Sequence, residues 1–270
     1  MQKSQFYYWI IIVAFSFGFY AKSRIPAQAD VGEQSLKVFQ VPEVFRTDTL
    51  STLLPQKSKY LQSYYPSFLG KFAFGDTLFT DDRWLDDAEP DFLYFMRDSL
   101  DYFASDGFQL VPRPDIQLPG LNNESDKTAA YFPVFLPNET RETKLLFGKD
   151  DYLYAIQEAR DSSGDWRPIE HRGFDWCGMG SWELKVHPQE YAAMLMPLYR
   201  GNYATELRVI FKNGENKIIS KPYPGTISYE QFYFEPDSEI KKWFEDNPLA
   251  ITFGKFYGSF PLQYFELGGK

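Results

Sequence analysis

Apolar and polar positions alternate most cleanly over Thr205–Lys212, where Leu207, Val209 and Phe211 share one face and Glu206, Arg208 and Lys212 share the other. That period of two predicts a strand with one buried face. Asn213-Gly214 follows. This pair favours the positive backbone angles of a tight hairpin, so Lys217–Ser220 is expected to return antiparallel beside it. Further strand-like runs cover Tyr131–Leu136, Thr143–Phe147, Tyr152–Ala159, Trp166–Glu170, Ser181–Val186 and Ile227–Phe234. Their spacing predicts a mainly β fold, an antiparallel β-sandwich of immunoglobulin or fibronectin type over residues 129–235.

Residues 30–128 read as a mixed α/β segment. Val38–Val44 is extended around Pro42, a short helix is expected over Val44–Leu54 with its stop at Pro55, and the aromatic stretch Tyr60–Phe74 fits no single period. Pro90 suits a first helical position, and Phe92, Phe95, Met96, Ser99, Leu100 and Phe103 line one face of a helix that Gly107 ends. Val111–Lys127 then reads as a long connection rich in Pro, Asn and Gly. Residues 236–270 form an extension: a helix over Asp237–Asp246 with Ile240, Trp243 and Phe244 on one side, then a hairpin of Ala250–Tyr257 and Phe260–Glu266 joined at Gly258-Ser259. No repeat of fixed period is present, which disfavours solenoids and propellers.

The N-terminal 29 residues carry a different pattern. Lys3 precedes an apolar run from Tyr7 to Phe15 that continues through Phe17, Phe19 and Tyr20, and Pro26-Ala27-Gln28-Ala29 supplies small residues at a cleavage site. An apolar core of about 15 residues fits a signal peptide better than a membrane span. Residues 1–29 are thus expected to direct export to the periplasm or the medium. The alternative is a membrane anchor over residues 7–20, retained because Lys22 and Arg24 halt translocation. The single cysteine, Cys177, lies far from the leader, which leaves no thioether-linked lipid anchor and no disulfide within the chain.

Charge narrows the partners. The chain carries 28 basic and 37 acidic residues, a net charge of −9, and the leader holds only bases, so its removal deepens the imbalance. A nucleic-acid partner needs clustered Lys and Arg, and that class is excluded on this balance. Acid is concentrated between Asp81 and Asp91, where Asp81, Asp82, Asp86 and Asp87 are weak calcium candidates without the spacing of a calcium loop. Aromatic residues make up 19% of the chain, which suits either a β core or a flat sugar-binding face. Trp166, Trp176 and Trp182 flank turns and are the stacking candidates, with Trp84 in the acidic segment.

Chemistry-bearing motifs are sparse. His171, His187 and Cys177 lack CxxC or HxxxH spacing, and Cys177 between Trp176 and Gly178 reads as a tight β connection rather than a nucleophile. No GxSxG elbow, P-loop or dinucleotide glycine pattern occurs, so no cofactor is implied. Asn123-Glu124-Ser125 and Asn138-Glu139-Thr140 match the N-glycosylation pattern. Dispersed carboxylates leave no linear motif, which keeps a secreted hydrolase as the alternative class.

Between Tyr131 and Ile227 several short stretches stand together: Phe132-Pro133-Val134 with Asn138-Glu139-Thr140, Glu158-Ala159-Arg160-Asp161 followed by Gly164-Asp165-Trp166-Arg167-Pro168-Ile169-Glu170, Cys177-Gly178, Tyr199-Arg200-Gly201 with Thr205, and Pro224-Gly225. In these the chain resembles uncharacterised exported bacterial β-sandwich proteins. The resemblance implies a sandwich outside the cytoplasm and no established reaction. The expected function is that of a non-catalytic structural or binding protein of the envelope or the secreted pool, with a glycan or an envelope protein as partner.

Overall fold

The structure is a computed structural model, and it describes residues 36–45, 52–79, 89–90, 108–120, 128–173, 180–214 and 216–266. Its architecture is mainly β, with several antiparallel sheets, a half-barrel and short C-terminal helices. Residues 36–270 cluster as one compact unit. The first half supplies β1 (Val44–Phe45), β2 (Gln62–Ser63), β3 (Phe68–Ala73), β4 (Leu78–Phe79), β5 (Glu89–Pro90), β6 (Val111–Pro112) and β7 (Tyr131–Pro137). Then come β8 (Lys144–Lys149), β9 (Tyr152–Leu153), β10 (Ala155–Arg160), β11 (Trp166–Pro168), β12 (Glu170–His171) and β13 (Ser181–Val186). The last strands are β14 (Glu190–Pro197), β15 (Tyr203–Asn213), β16 (Asn216–Ile219) and β17 (Tyr223–Ile227).

Three antiparallel sheets dominate. One runs β3-β14-β7-β6, a second β5-β13-β8-β9, and a third β11-β10-β15-β16 with β17 also on β15. Of two short parallel pairs, β1-β4 lies within the early chain and β12-β2 ties the early chain to the rest. β14 is buried almost throughout because both of its faces meet apolar layers. Ala192, Met194 and Met196 enter the central core with Phe132, Val134 and Leu136. Tyr191, Ala193 and Leu195 enter a second core with Leu69, Tyr131 and Phe135.

The β15–β16 hairpin is antiparallel as expected, with Lys212 opposite Lys217, and Gly214 adopts φ 62° in the turn. Leu207, Val209 and Phe211 fill the central core as their alternation predicts. The opposite face of this sheet is divided. Ile156 and Ile210 are covered by the C-terminal helices, while Glu158 and Arg208 face one another farther along.

The C-terminal region departs from expectation in part. The helix is present as α1 (Glu239–Asp246), capped by Ser238, whose Oγ accepts from Lys241 N at 3.4 Å. The expected hairpin is not: the chain forms α2 (Pro248–Lys255) and α3 (Leu262–Glu266). Pro248 at the first helical position and the buried set Ile251, Thr252 and Lys255 fix α2 against Phe234, Phe244 and Phe256. Ile227 ends β17, and the next residues turn into a 3-10 helix over Tyr229–Phe232 rather than a strand. Val44–Phe45 is a strand where a helix was expected to begin, and Pro90, expected at a first helical position, closes the strand Glu89–Pro90. The predicted helix beyond Pro90 lies outside the described residues, as does the leader. Among the described residues no helix is long and apolar enough to cross a membrane.

Candidate functional site

The segment after Pro55 runs beside the end of β14. Gln56 N donates to Leu198 O at 2.7 Å, and Arg200 N donates back to Gln56 O at 2.9 Å. The chain then turns at Gly201, pressed onto the end of β17. A Cβ at position 201 would fall inside the Ile227 carbonyl group and the Ser228 nitrogen, so only glycine permits the approach. These two constraints bring Lys57, Lys59 and Arg200 to the rim of one open cavity of about 480 Å³.

Ser58, Asn202 and Ser228 complete the polar lining, which contains no carboxylate. Ser58 is buried and donates to Tyr60 O at 2.9 Å. Asn202 Oδ1 accepts from Tyr229 N at 3.3 Å, which orients its amide. The three cations are exposed, and none forms an ion pair with a carboxylate among the described residues. The Tyr60 side chain beside Lys59 holds its ammonium above the ordinary lysine range, with smaller help from Glu230 and Glu235. In an acidic chain this is a local reversal of sign, and it lines one volume with cationic and amide groups and serine hydroxyls.

Trp166 and Trp182 lie elsewhere. Trp182 is a core side chain: it packs on Phe68 with ring centroids 5.1 Å apart, and its Nε1 donates to Asp150 O at 2.8 Å. Trp166 is half-buried, with the Arg208 and Arg160 guanidinium carbons 4.2 and 4.7 Å from the ring centroid. Arg208 in turn holds the buried Glu158 at 2.6 Å, and Arg160 Nε lies 2.8 Å from Glu206. The ring of Trp166 is therefore engaged by guanidinium groups. Trp84, Trp176, Cys177, Asp81, Asp82, Asp86 and Asp87 fall outside the described residues.

Among the described residues, the acid pushed furthest from its ordinary range is sealed away. Burial pushes the Glu170 carboxyl up to about 7, against the lowering effect of its donors. Those donors are Gln157 N at 2.7 Å, Gln157 Nε2 at 2.8 Å and the Tyr199 hydroxyl at 2.9 Å. Tyr223 completes the knot by donating to Gln157 Oε1 at 2.7 Å. Every member is buried, so the knot is a satisfied polar layer in the core rather than a cleft acid.

Both histidines are also accounted for. His171 is buried against Phe256, and burial pulls its pKa down to about 4, with the Lys255 charge adding to the effect against the Arg172 carbonyl. His187 Nδ1 lies 2.9 Å from Thr143 Oγ1. Among the described residues no group of three or more His, Cys, Asp and Glu side chains is placed to hold a metal ion. Asn138 is fully buried, and its amide nitrogen donates to Glu142 O and Val186 O, so that side chain serves a turn. Lys57-Ser58-Lys59 and Arg200-Gly201 were visible in the sequence, but nothing in either stretch shows that the two meet.

Comparison with protein families, curated proteins and solved structures finds no match to the chain.

Proposed function

We propose that the chain is an exported, non-catalytic binding protein of the envelope or the secreted pool, built on an immunoglobulin- or fibronectin-like sandwich, and that it takes a glycan. The observation that carries this reading is the open cavity with its hydroxyl, amide and cationic lining. A volume of several hundred cubic ångströms accommodates one or two sugar rings. Hydroxyl-rich ligands are recognised through such convergent donors and acceptors. The leader over residues 1–29 and the resemblance over Tyr131–Ile227 support placement outside the cytoplasm.

The test has two parts. The intact mass of the protein from fractionated cells should match a soluble species beginning at Asp30. A full-length species in the membrane pellet would instead make residues 7–20 an anchor and place the domain on the envelope. The recovered protein is then screened on a glycan array, with the products of each retained glycan followed by mass spectrometry. Retention without cleavage is expected. Cleavage of a bound glycan would replace this reading with the hydrolase.

A further inference from the structure

We propose that the cavity between the Lys57–Lys59 segment and the Arg200–Asn202 turn is an anion seat, and that the glycan it takes carries a carboxylate or phosphate group. The inference rests on the binding reading above and adds the charge of the ligand.

Three cations from two distant parts of the chain line one volume, and no carboxylate among the described residues pairs with any of them. Arg113, Arg160 and Lys71 are neutralised by Asp115, Glu206 and Glu190, and exposed lysines elsewhere that carry no ion pair among the described residues, such as Lys185 and Lys242, do not converge on this cavity. The backbone bonds of Gln56 and the close approach of Gly201 to Ile227 hold the two segments together without help from charge. That scaffold presents the three cations to one volume.

The net negative charge of the chain does not oppose short-range binding. Screening at physiological salt confines each charge to about 8 Å, so an anion inside the cavity meets the lining cations Lys57, Lys59 and Arg200, opposed nearby by Glu230 and Glu235, which act on Lys59. Arg200 offers a planar fork for a carboxylate or phosphate, and the lysines offer rotatable donors. Asn202 and Ser228 stand beside them for the hydroxyl groups of the sugar that bears the anion. A long polyanion would also meet Glu230 and Glu235, the carboxylates that act on Lys59. The seat therefore suits a single charged sugar or the end of a short chain.

Isothermal titration of the full chain against matched probes separates the possibilities: trigalacturonate and its methyl ester, glucose 6-phosphate and glucose, and inorganic phosphate alone. We expect the charged member of a pair to bind at least about tenfold more tightly than its neutral mate, and affinity to fall as sodium chloride rises. Preference for trigalacturonate identifies the carboxylate source, and preference for glucose 6-phosphate the phosphate source. The variant K57Q/K59Q/R200Q, with its fold checked by circular dichroism, should lose about tenfold in affinity for the charged probe. Equal binding of charged and neutral sugars, unchanged in that variant, would overturn the anion seat while leaving the glycan reading intact. Salt-sensitive binding of inorganic phosphate that the variant abolishes, with no sugar bound, would uphold the seat and overturn the glycan. Absence of binding to every probe would overturn both.

Discussion

Gly148 and Trp182 are direct partners across the β8–β13 ladder, and the indole lies where a Cβ at position 148 would stand. The glycine is the space into which the tryptophan packs. Gly148→Ala should therefore destabilise the protein by roughly 1–3 kcal/mol through overpacking. Trp182→Ala should cost roughly 3–5 kcal/mol through the cavity it leaves. Urea unfolding followed by circular dichroism reads both. A Trp182→Ala variant within about 1 kcal/mol of the parent would mean that the indole is not core and would return it to consideration as a ligand contact.

The Arg208–Glu158 pair makes a second prediction. The Glu158 side chain is 1% exposed, and Arg208 reaches it from the opposite strand while lying over Trp166. Removal of the guanidinium strands a buried carboxylate. Arg208→Ala is expected to destabilise by roughly 3–5 kcal/mol, and Arg208→Lys to recover only part because it lacks the planar fork. The double variant Glu158→Gln/Arg208→Ala should be more stable than Arg208→Ala alone, since the stranded charge is gone. Equal stability of those two variants would show that Glu158 is hydrated in solution.

Much of this face was legible from the alternation over Thr205–Lys212, because one side of β15 is apolar and the other partly solvated. β14 was not. Tyr191-Ala192-Ala193-Met194-Leu195-Met196 shows no alternation because both faces are buried, and Ala, Leu and Met favour helices when read without tertiary context. A hairpin was expected over Ala250–Tyr257 and Phe260–Glu266, joined at Gly258-Ser259. Packing of Ile251 and Phe256 against Phe234 and Phe244 favours the helices instead. The cationic cavity was hidden for a different reason. Lys57 and Arg200 meet through the parallel bridge of Gln56 with Tyr199, a long-range contact that no local pattern encodes.

That contact depends on Gly201. Gly201→Val would drive its side chain into the Ile227 and Ser228 backbone, and the turn must move away. We expect a loss of roughly 1–3 kcal/mol in stability. Binding of any charged probe should weaken as well, although every cation is retained. Thermal unfolding and titration of the same sample test the two effects. Unaltered affinity in a destabilised variant would show that ligand contacts do not rely on the position of this turn.

Glu170 and His171 are adjacent on β12, yet their titrations act on stability with opposite sign. Folding raises the Glu170 pKa from 4.5 to about 7 and lowers that of His171 from 6.5 to about 4. Between pH 4.5 and 6.5 the folded state holds a proton on Glu170 that the unfolded chain has released, so this group's stabilisation is full below 4.5 and is lost as pH rises through 7. Over the same window the unfolded chain holds a proton on His171 that the folded state lacks, so its stabilisation is full above 6.5 and is lost as pH falls through 4. Each contributes a slope of about 1.4 kcal/mol per pH unit, and in the parent protein the two cancel. Glu170→Gln should leave the rising slope of His171, and His171→Phe the falling slope of Glu170. Other carboxylates titrate alike in all three proteins, so their slopes cancel in the comparison. Across about 1.5 pH units within the window, urea midpoints should shift by about 2 kcal/mol relative to the parent, upward with pH in the first variant and downward in the second. Shifts of the same sign in both would show that one of the two side chains is solvated in the folded protein.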